Sequence, residues 1–140
     1  MGKAEILKHP DLTMTDKNIP PVQLWALGDM LPLAFDVAGL LEKSGIPAGV
    51  VNPRFIKPLD EELLVQHASN SSAIVTIENG ITAGGFGTGI EEFLTKKGLD
   101  CKILKFGWND EYVPHGSRQD LMKMFGLTPE AIFKVIRNNT

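Results

Sequence analysis

The chain has one cysteine, Cys101, in 140 residues. A single thiol excludes an intramolecular disulfide framework and any cysteine-based zinc cluster. Read as a small hydrophobe inside a strand pattern, Cys101 fits a reducing compartment. Excess charge is also scarce: 14 Lys and Arg stand against 17 Asp and Glu, a net charge of −3. With the signs interspersed, the chain carries no electrostatic footprint for nucleic acid or anionic lipid. No apolar run approaches the roughly 20 residues of a membrane span. Among the longest is Leu31 to Leu41, and it contains Asp36. The amino-terminal stretch lacks the apolar segment of a signal peptide, so export is not indicated and a cytoplasmic location is expected. Internal repeats and low-complexity segments are missing as well. What remains is a length suited to one domain, able to bury roughly two-thirds of its unfolded surface.

Residues 1–20 mix Lys, Asp, His and Pro without sustained periodicity and end at Pro20-Pro21, which reads as a linker or arm. From residue 21 onward, short apolar runs alternate with helical patterns. Val22 to Leu27, Ala48 to Val51, Ala73 to Ile77 and Cys101 to Phe106 have strand character. Between them, Leu31 to Lys43 reads as a helix with Gly45 beyond its end, and Asp60 opens one running to about Ala68. Phe86 to about Lys97 reads as a helix closed by Gly98, and Ser117 to Phe125 as another. Thr128-Pro129-Glu130 combines an N-cap, a proline at the first helical position and an acid in the first turn, opening a last helix. Strands apolar on both faces, alternating with helices, predict an α/β sandwich with a mostly parallel sheet.

In open α/β sheets ligands bind beyond the carboxyl ends of the strands. Four polar or glycine-rich stretches fall there: Gly28-Asp29, Asn52-Pro53-Arg54, Glu78-Asn79-Gly80 and Gly107-Trp108-Asn109-Asp110. Asp29 is expected to cap the helix that follows it. The glycines from Gly80 to Gly89, with Gly84, Gly85 and Gly87 at their centre, join a strand to a helix whose free N–H groups suit an anion. They match neither G-x-G-x-x-G nor G-x-x-x-x-G-K-[ST]. The simpler reading is that they let the chain turn and the helix press on the sheet. Glu78 is the carboxylate of most interest, at a strand end beside these glycines; Arg54 and Lys57 are candidate partners for it or for an acidic partner, or else solvated loop charges. His115 precedes a helix start at Ser117, which reads as its cap; His115 is placed either to meet a substrate or a neighbouring subunit or to hydrogen-bond locally. No nucleophile–base pair or G-x-S-x-G turn is present.

Taken together, these segments resemble a known family. Val50-Val51-Asn52-Pro53-Arg54-Phe55-Ile56-Lys57-Pro58-Leu59-Asp60, then Ile74-Val75-Thr76-Ile77-Glu78-Asn79, then Gly84-Gly85-Phe86-Gly87, then His115-Gly116-Ser117, are similar in order and spacing to the C-terminal domain of the transketolase superfamily. The Arg-x-x-Lys-Pro-Leu-Asp segment and Gly-Gly-x-Gly are shared with transketolases and the β subunits of 2-oxoacid dehydrogenases. The His-Gly-Ser ending resembles the 1-deoxy-D-xylulose-5-phosphate synthase branch most. Glu78-Asn79 and Trp108-Asn109-Asp110 depart from that branch, which often has Glu-Glu and Leu-Pro-Asp there.

The resemblance implies a mixed five-stranded sheet, one strand antiparallel, between helical layers. It implies an assembly domain, unable to catalyse alone, of an enzyme that uses thiamine diphosphate and Mg²⁺ to join a two-carbon unit from pyruvate to glyceraldehyde 3-phosphate. No catalytic residue, cofactor ligand or metal ligand is then expected in this chain. Gly28-Asp29-Met30 with Asn52-Pro53 only partly follows the Gly-Asp-Gly…Asn-Asn signature that holds this cofactor. Arg54, Lys57, Glu78, Gly84, Gly85, Gly87 and His115 are the candidate site or interface residues. The partners expected are the remaining domains or a partner chain, with a homo-oligomer as the assembled form. Gly2-Lys3 near the start suggests an excised domain or a split-gene fragment. The competing readings are part of a split transketolase or 2-oxoacid dehydrogenase β subunit, and a stand-alone small-anion or nucleotide-binding module.

Overall fold

A computed structural model describes residues 3–13, 19–54, 59–80, 85–109 and 126–140, with the backbone alone at 79, 80, 108 and 109. Five strands, β1 (Glu5–Lys8), β2 (Val22–Ala26), β3 (Ala48–Asn52), β4 (Ala73–Gly80) and β5 (Ile103–Asn109), form one sheet in the order β1-β3-β2-β4-β5. The helices are α1 (Leu31–Lys43), α2 (Glu61–Asn70), α3 (Phe86–Lys96) and α4 (Pro129–Asn139). Strands β2 to β5 are parallel and β1 is antiparallel to β3. The expected mixed α/β/α sandwich is therefore the observed one. The helix proposed from Ser117 lies outside the described residues. No helix among those described is long and apolar enough to cross a membrane.

Alternation along each strand sorts the core into two layers. Val22, Leu24, Ala26, Val50, Val75 and Ile77 face α1 and α4, meeting Val37, Leu41, Ile132 and Ile136. Trp25, Val51 and Ile74 face α2 and α3, meeting Leu64, Phe86, Ile90 and Leu94. Every residue of β2 is buried, as a central strand covered on both faces requires. Gln23 on β2 has room because its register partner is Gly49, where an added Cβ would lie 2.2 Å from Gln23 Oε1.

The helix ends follow from local chemistry. Past α1, Gly45 (φ 83°) donates to the Glu42 carbonyl and Ile46 N to Leu41 O, a Schellman closure. Gly98 (φ 69°) and Leu99 repeat it past α3, on Thr95 and Leu94. Thr128 Oγ1 accepts from Ala131 N at 3.2 Å at the start of α4. Asp60 serves two elements at once. One carboxylate oxygen accepts from Leu63 N at 3.2 Å and caps α2; the other accepts from Ala4 N at 2.8 Å.

Strands β4 and β5 run three residues further than read, to Gly80 and Asn109, and take in stretches expected beyond their ends. Two further features differ from the sequence reading. Within the segment read as an arm, Glu5–Lys8 adds the antiparallel edge strand, held by β3 and by Lys8 Nζ, which bonds Glu42 Oε2 at 2.8 Å and Ala48 O at 3.0 Å. Asp29 does not cap α1. It lies in the 3-10 turn Gly28–Met30, and the cap position falls to Met30, without a side-chain bond.

One polar pair sits inside the α2–α3 layer. The buried Trp25 indole donates from Nε1 to His67 Nδ1 at 3.0 Å, and the rings meet edge to face at 5.6 Å. An indole N–H only donates, so Nδ1 is the acceptor and the imidazole proton sits on Nε2. Burial lowers the His67 pKa to about 4, against the opposing pull of Asp60 and with a small push from His9. The unfolded chain takes up this proton near pH 6.5, the folded chain only near 4. Stability is thus full above about pH 6.5 and falls by roughly 3 kcal/mol as pH drops to 4. His67→Gln, which keeps an acceptor but does not titrate, is expected to flatten this part of the denaturation-versus-pH curve. His67→Leu orphans the indole N–H and is expected to cost about 1–3 kcal/mol at pH 7.

Candidate functional site

The connections set where a ligand crevice falls. From β2 the chain passes to α1 on one face, and from the adjacent β4 to α3 on the other. Neighbouring strands whose connections leave on opposite faces define the switch point of a doubly wound sheet. Gly28-Asp29 lies on one side of it and Glu78 on the other. The strand ends stay bonded there, with Leu27 N donating to Ile77 O at 3.1 Å.

Glu78 is committed to α3. Its Oε1 accepts from Phe86 N at 3.2 Å and its Oε2 from Gly87 N at 2.8 Å. These are among the first N–H groups of the helix, which have no partner within it, and they carry the positive end of its dipole. Charge-assisted bonds of this kind contribute about 1.5–3 kcal/mol each. Gly85 stands at the cap position of α3 with no side-chain bond. Gly87 presses on the sheet: a Cβ there would lie 2.6 Å from Thr76 Oγ1 and 3.0 Å from Lys105 Cγ. Across the ladder, Glu78 faces Gly107, where a Cβ would meet the Glu78 carbonyl oxygen at 2.6 Å. Close approach is what both glycines provide.

Arg54 follows β3 with φ 67°, the one left-handed non-glycine among the described residues. Asn52 Oδ1 accepts from its N–H at 3.0 Å and holds the turn. Such a conformation costs of order 1 kcal/mol and tends to mark functional positions. In the sheet order β2 stands between the strands of Arg54 and Glu78. Lys57, Gly84 and His115 lie outside the described residues.

These residues do not fit a thiamine diphosphate site. Asn52, in the place of a signature asparagine, spends its amide oxygen on the Arg54 turn. The amino terminus of α3, the natural seat for a diphosphate after the glycines, already faces a carboxylate. No group of three or more His, Cys, Asp or Glu able to hold a metal occurs among the described residues. Burial pushes the Cys101 thiol up, away from the thiolate a nucleophile needs. A groove of about 570 Å³ between α2 and α3, lined by Glu61, Glu62, Val65, Gln66, Phe93 and Lys97, contains none of the residues singled out from the sequence.

Comparison with known proteins agrees with this architecture. The family model for the transketolase C-terminal domain matches residues 13–132. The chain belongs to the transketolase C-terminal domain family. Curated relatives include the 1-deoxy-D-xylulose-5-phosphate synthases of Heliobacterium modesticaldum, 45% identical over 138 residues, and Gloeobacter violaceus, 39% identical over 139. Each match takes in 98% or more of this chain but 20% of the relative, so the chain spans about a fifth of their length. Among solved structures, a split-gene transketolase described as an inactive beta4 tetramer superposes with a TM-score of 0.82 at 31% identity, over 99% of this chain and 42% of that one. A transketolase from Campylobacter jejuni shares the fold, with a TM-score of 0.67 at 18% identity over 98% of this chain and 18% of its own.

Within this transketolase C-terminal domain, sequence reasoning missed the roles of Thr76 and Gly107. Gly107 directly follows the apolar run ending at Phe106, and because β5 continues to Asn109 it is a strand glycine, which marks a close approach. Gly87→Ala and Gly107→Ala are each expected to destabilise the chain by about 1–3 kcal/mol. Adding Thr76→Ala should restore Gly87→Ala but not Gly107→Ala, whose obstacle is backbone. Gly89→Ala, with open space around it in the same helix, should stabilise by about 0.5–1 kcal/mol. Urea denaturation of the five variants measures all of this.

Proposed function

We propose that this chain is the C-terminal, assembly-supporting domain of a thiamine-diphosphate-dependent, transketolase-type enzyme of the 1-deoxy-D-xylulose-5-phosphate synthase kind, inactive by itself. Its folded unit includes the edge strand Glu5–Lys8 along with the elements after residue 21. One observation carries the reading: nearly the whole chain matches such a synthase, at 45% identity for that of Heliobacterium modesticaldum, while covering 20% of its length. In the assembled enzyme, pyruvate and glyceraldehyde 3-phosphate would be condensed on thiamine diphosphate and Mg²⁺ held by other domains or a partner chain. The likeness to a split-gene transketolase supports a second reading, a separate subunit that becomes active only with its partner.

The stand-alone anion-binding alternative loses support from Glu78, which fills the helix terminus that module would need. Arg54, exposed and strained at the carboxyl edge, is the described residue best placed to meet a neighbouring domain or copy. Calorimetric titration of the chain alone with thiamine diphosphate and Mg²⁺ should give no binding heat, and saturable tight binding would overturn the reading. Sedimentation should show concentration-dependent self-association, because an assembly domain keeps a surface suited to contact. A clean monomer at high concentration would count against the assembly role.

A further inference from the structure

The amino terminus of α3 already has an anion, and it comes from the chain itself. Glu78 Oε1 and Oε2 accept separately from Phe86 N and Gly87 N, the two-point geometry a carboxylate ligand adopts on adjacent amides. Space for this reach is made by glycine on both flanks. At Gly107 a Cβ would stand 3.3 Å from Glu78 Cγ and 2.6 Å from its carbonyl oxygen; at Gly87 a Cβ would displace the helix start from β4. A third polar group lies at the same place. Thr76 Oγ1, two residues along β4 on the same face, is buried without a hydrogen-bond partner and sits 2.6 Å from where that Gly87 Cβ would be. Phe86, whose N–H is one of the two donors, also packs on Trp25 at 6.4 Å between ring centroids. The terminus is thus held by a carboxylate on one side and by the core on the other.

We propose that the α3 amino terminus is a built carboxylate site with Glu78 as its resident ligand, and that Glu78 is a positioning residue fixing α3 against the carboxyl end of β4. It follows that the Phe86 and Gly87 amides are already taken in the native chain, and that removing the Glu78 side chain opens them to a small carboxylate. The inference stands apart from the catalytic reading above, since it concerns the isolated chain.

The test is a thermal-shift titration of the full chain and its Glu78→Ala variant with sodium formate, using sodium chloride at equal ionic strength as reference. Wild type should show no shift with formate or inorganic phosphate beyond the chloride reference. Glu78→Ala should melt about 10 °C or more lower and recover part of the loss saturably with formate. Should Glu78→Ala not fold, Glu78→Gln serves instead. It keeps one acceptor oxygen, and hydrogen exchange at the Phe86 and Gly87 amides should speed up by about tenfold while β2 amides stay protected. A phosphate or formate shift in wild type, a destabilised Glu78→Ala without formate recovery, or unchanged exchange in Glu78→Gln would each overturn the proposal.

Discussion

Trp25 sets the terms for one whole side of this molecule. It stands at the centre of the sheet on a strand with no exposed residue, so its indole N–H must find an acceptor inside the α2–α3 layer. His67 supplies it from α2, and only as a neutral imidazole with Nδ1 free to accept. That single bond fixes which face of α2 turns inward and ties the helix to β2. The other flank of the indole rests near Phe86, the first residue of α3. Two helices are therefore registered on one aromatic side chain, and the layer loses a buried hydrogen bond if either slips.

From Phe86 the same order extends to the edge where chemistry would be expected. The amide of Phe86 is also a donor to Glu78, so the α3 start is held between the core and the end of β4. Gly87 and Gly107 leave space on either side of that contact. The effect is to use up the positive helix terminus internally. Among the described residues, this arrangement leaves no open phosphate cradle at the α3 terminus. Arg54 stands just past β3 in a left-handed turn held by Asn52.

Much of this frame was legible in the sequence because it rests on local rules. Leu31 to Lys43 reads as a helix from its apolar spacing, and Gly45, Gly98, Asp60 and Thr128-Pro129 mark ends through backbone chemistry confined to a few residues. Strands covered on both faces announce themselves as unbroken apolar runs. β1 was not legible: its four residues are mostly exposed and become a strand only by pairing with β3, more than forty residues away. The Trp25–His67 bond spans 42 residues and leaves no pattern in either segment. Glu78 could be singled out by its place beside the glycines, yet what it binds could not, because two glycines and a ladder register decide it. Asp29 misled for the reverse reason. A good capping residue was present, but a 3-10 turn moved the helix start beyond its reach.

The family membership and the filled helix terminus support the proposed reading, in which this chain contributes structure and contact to a larger enzyme. The most direct measurement is complementation. A synthase of this family shortened by its C-terminal domain is assayed for condensation of pyruvate with glyceraldehyde 3-phosphate, with and without this chain added in trans. Activity that appears only in the mixture, and never from the chain alone with thiamine diphosphate and Mg²⁺, is the expected result. Turnover by the isolated chain would contradict it.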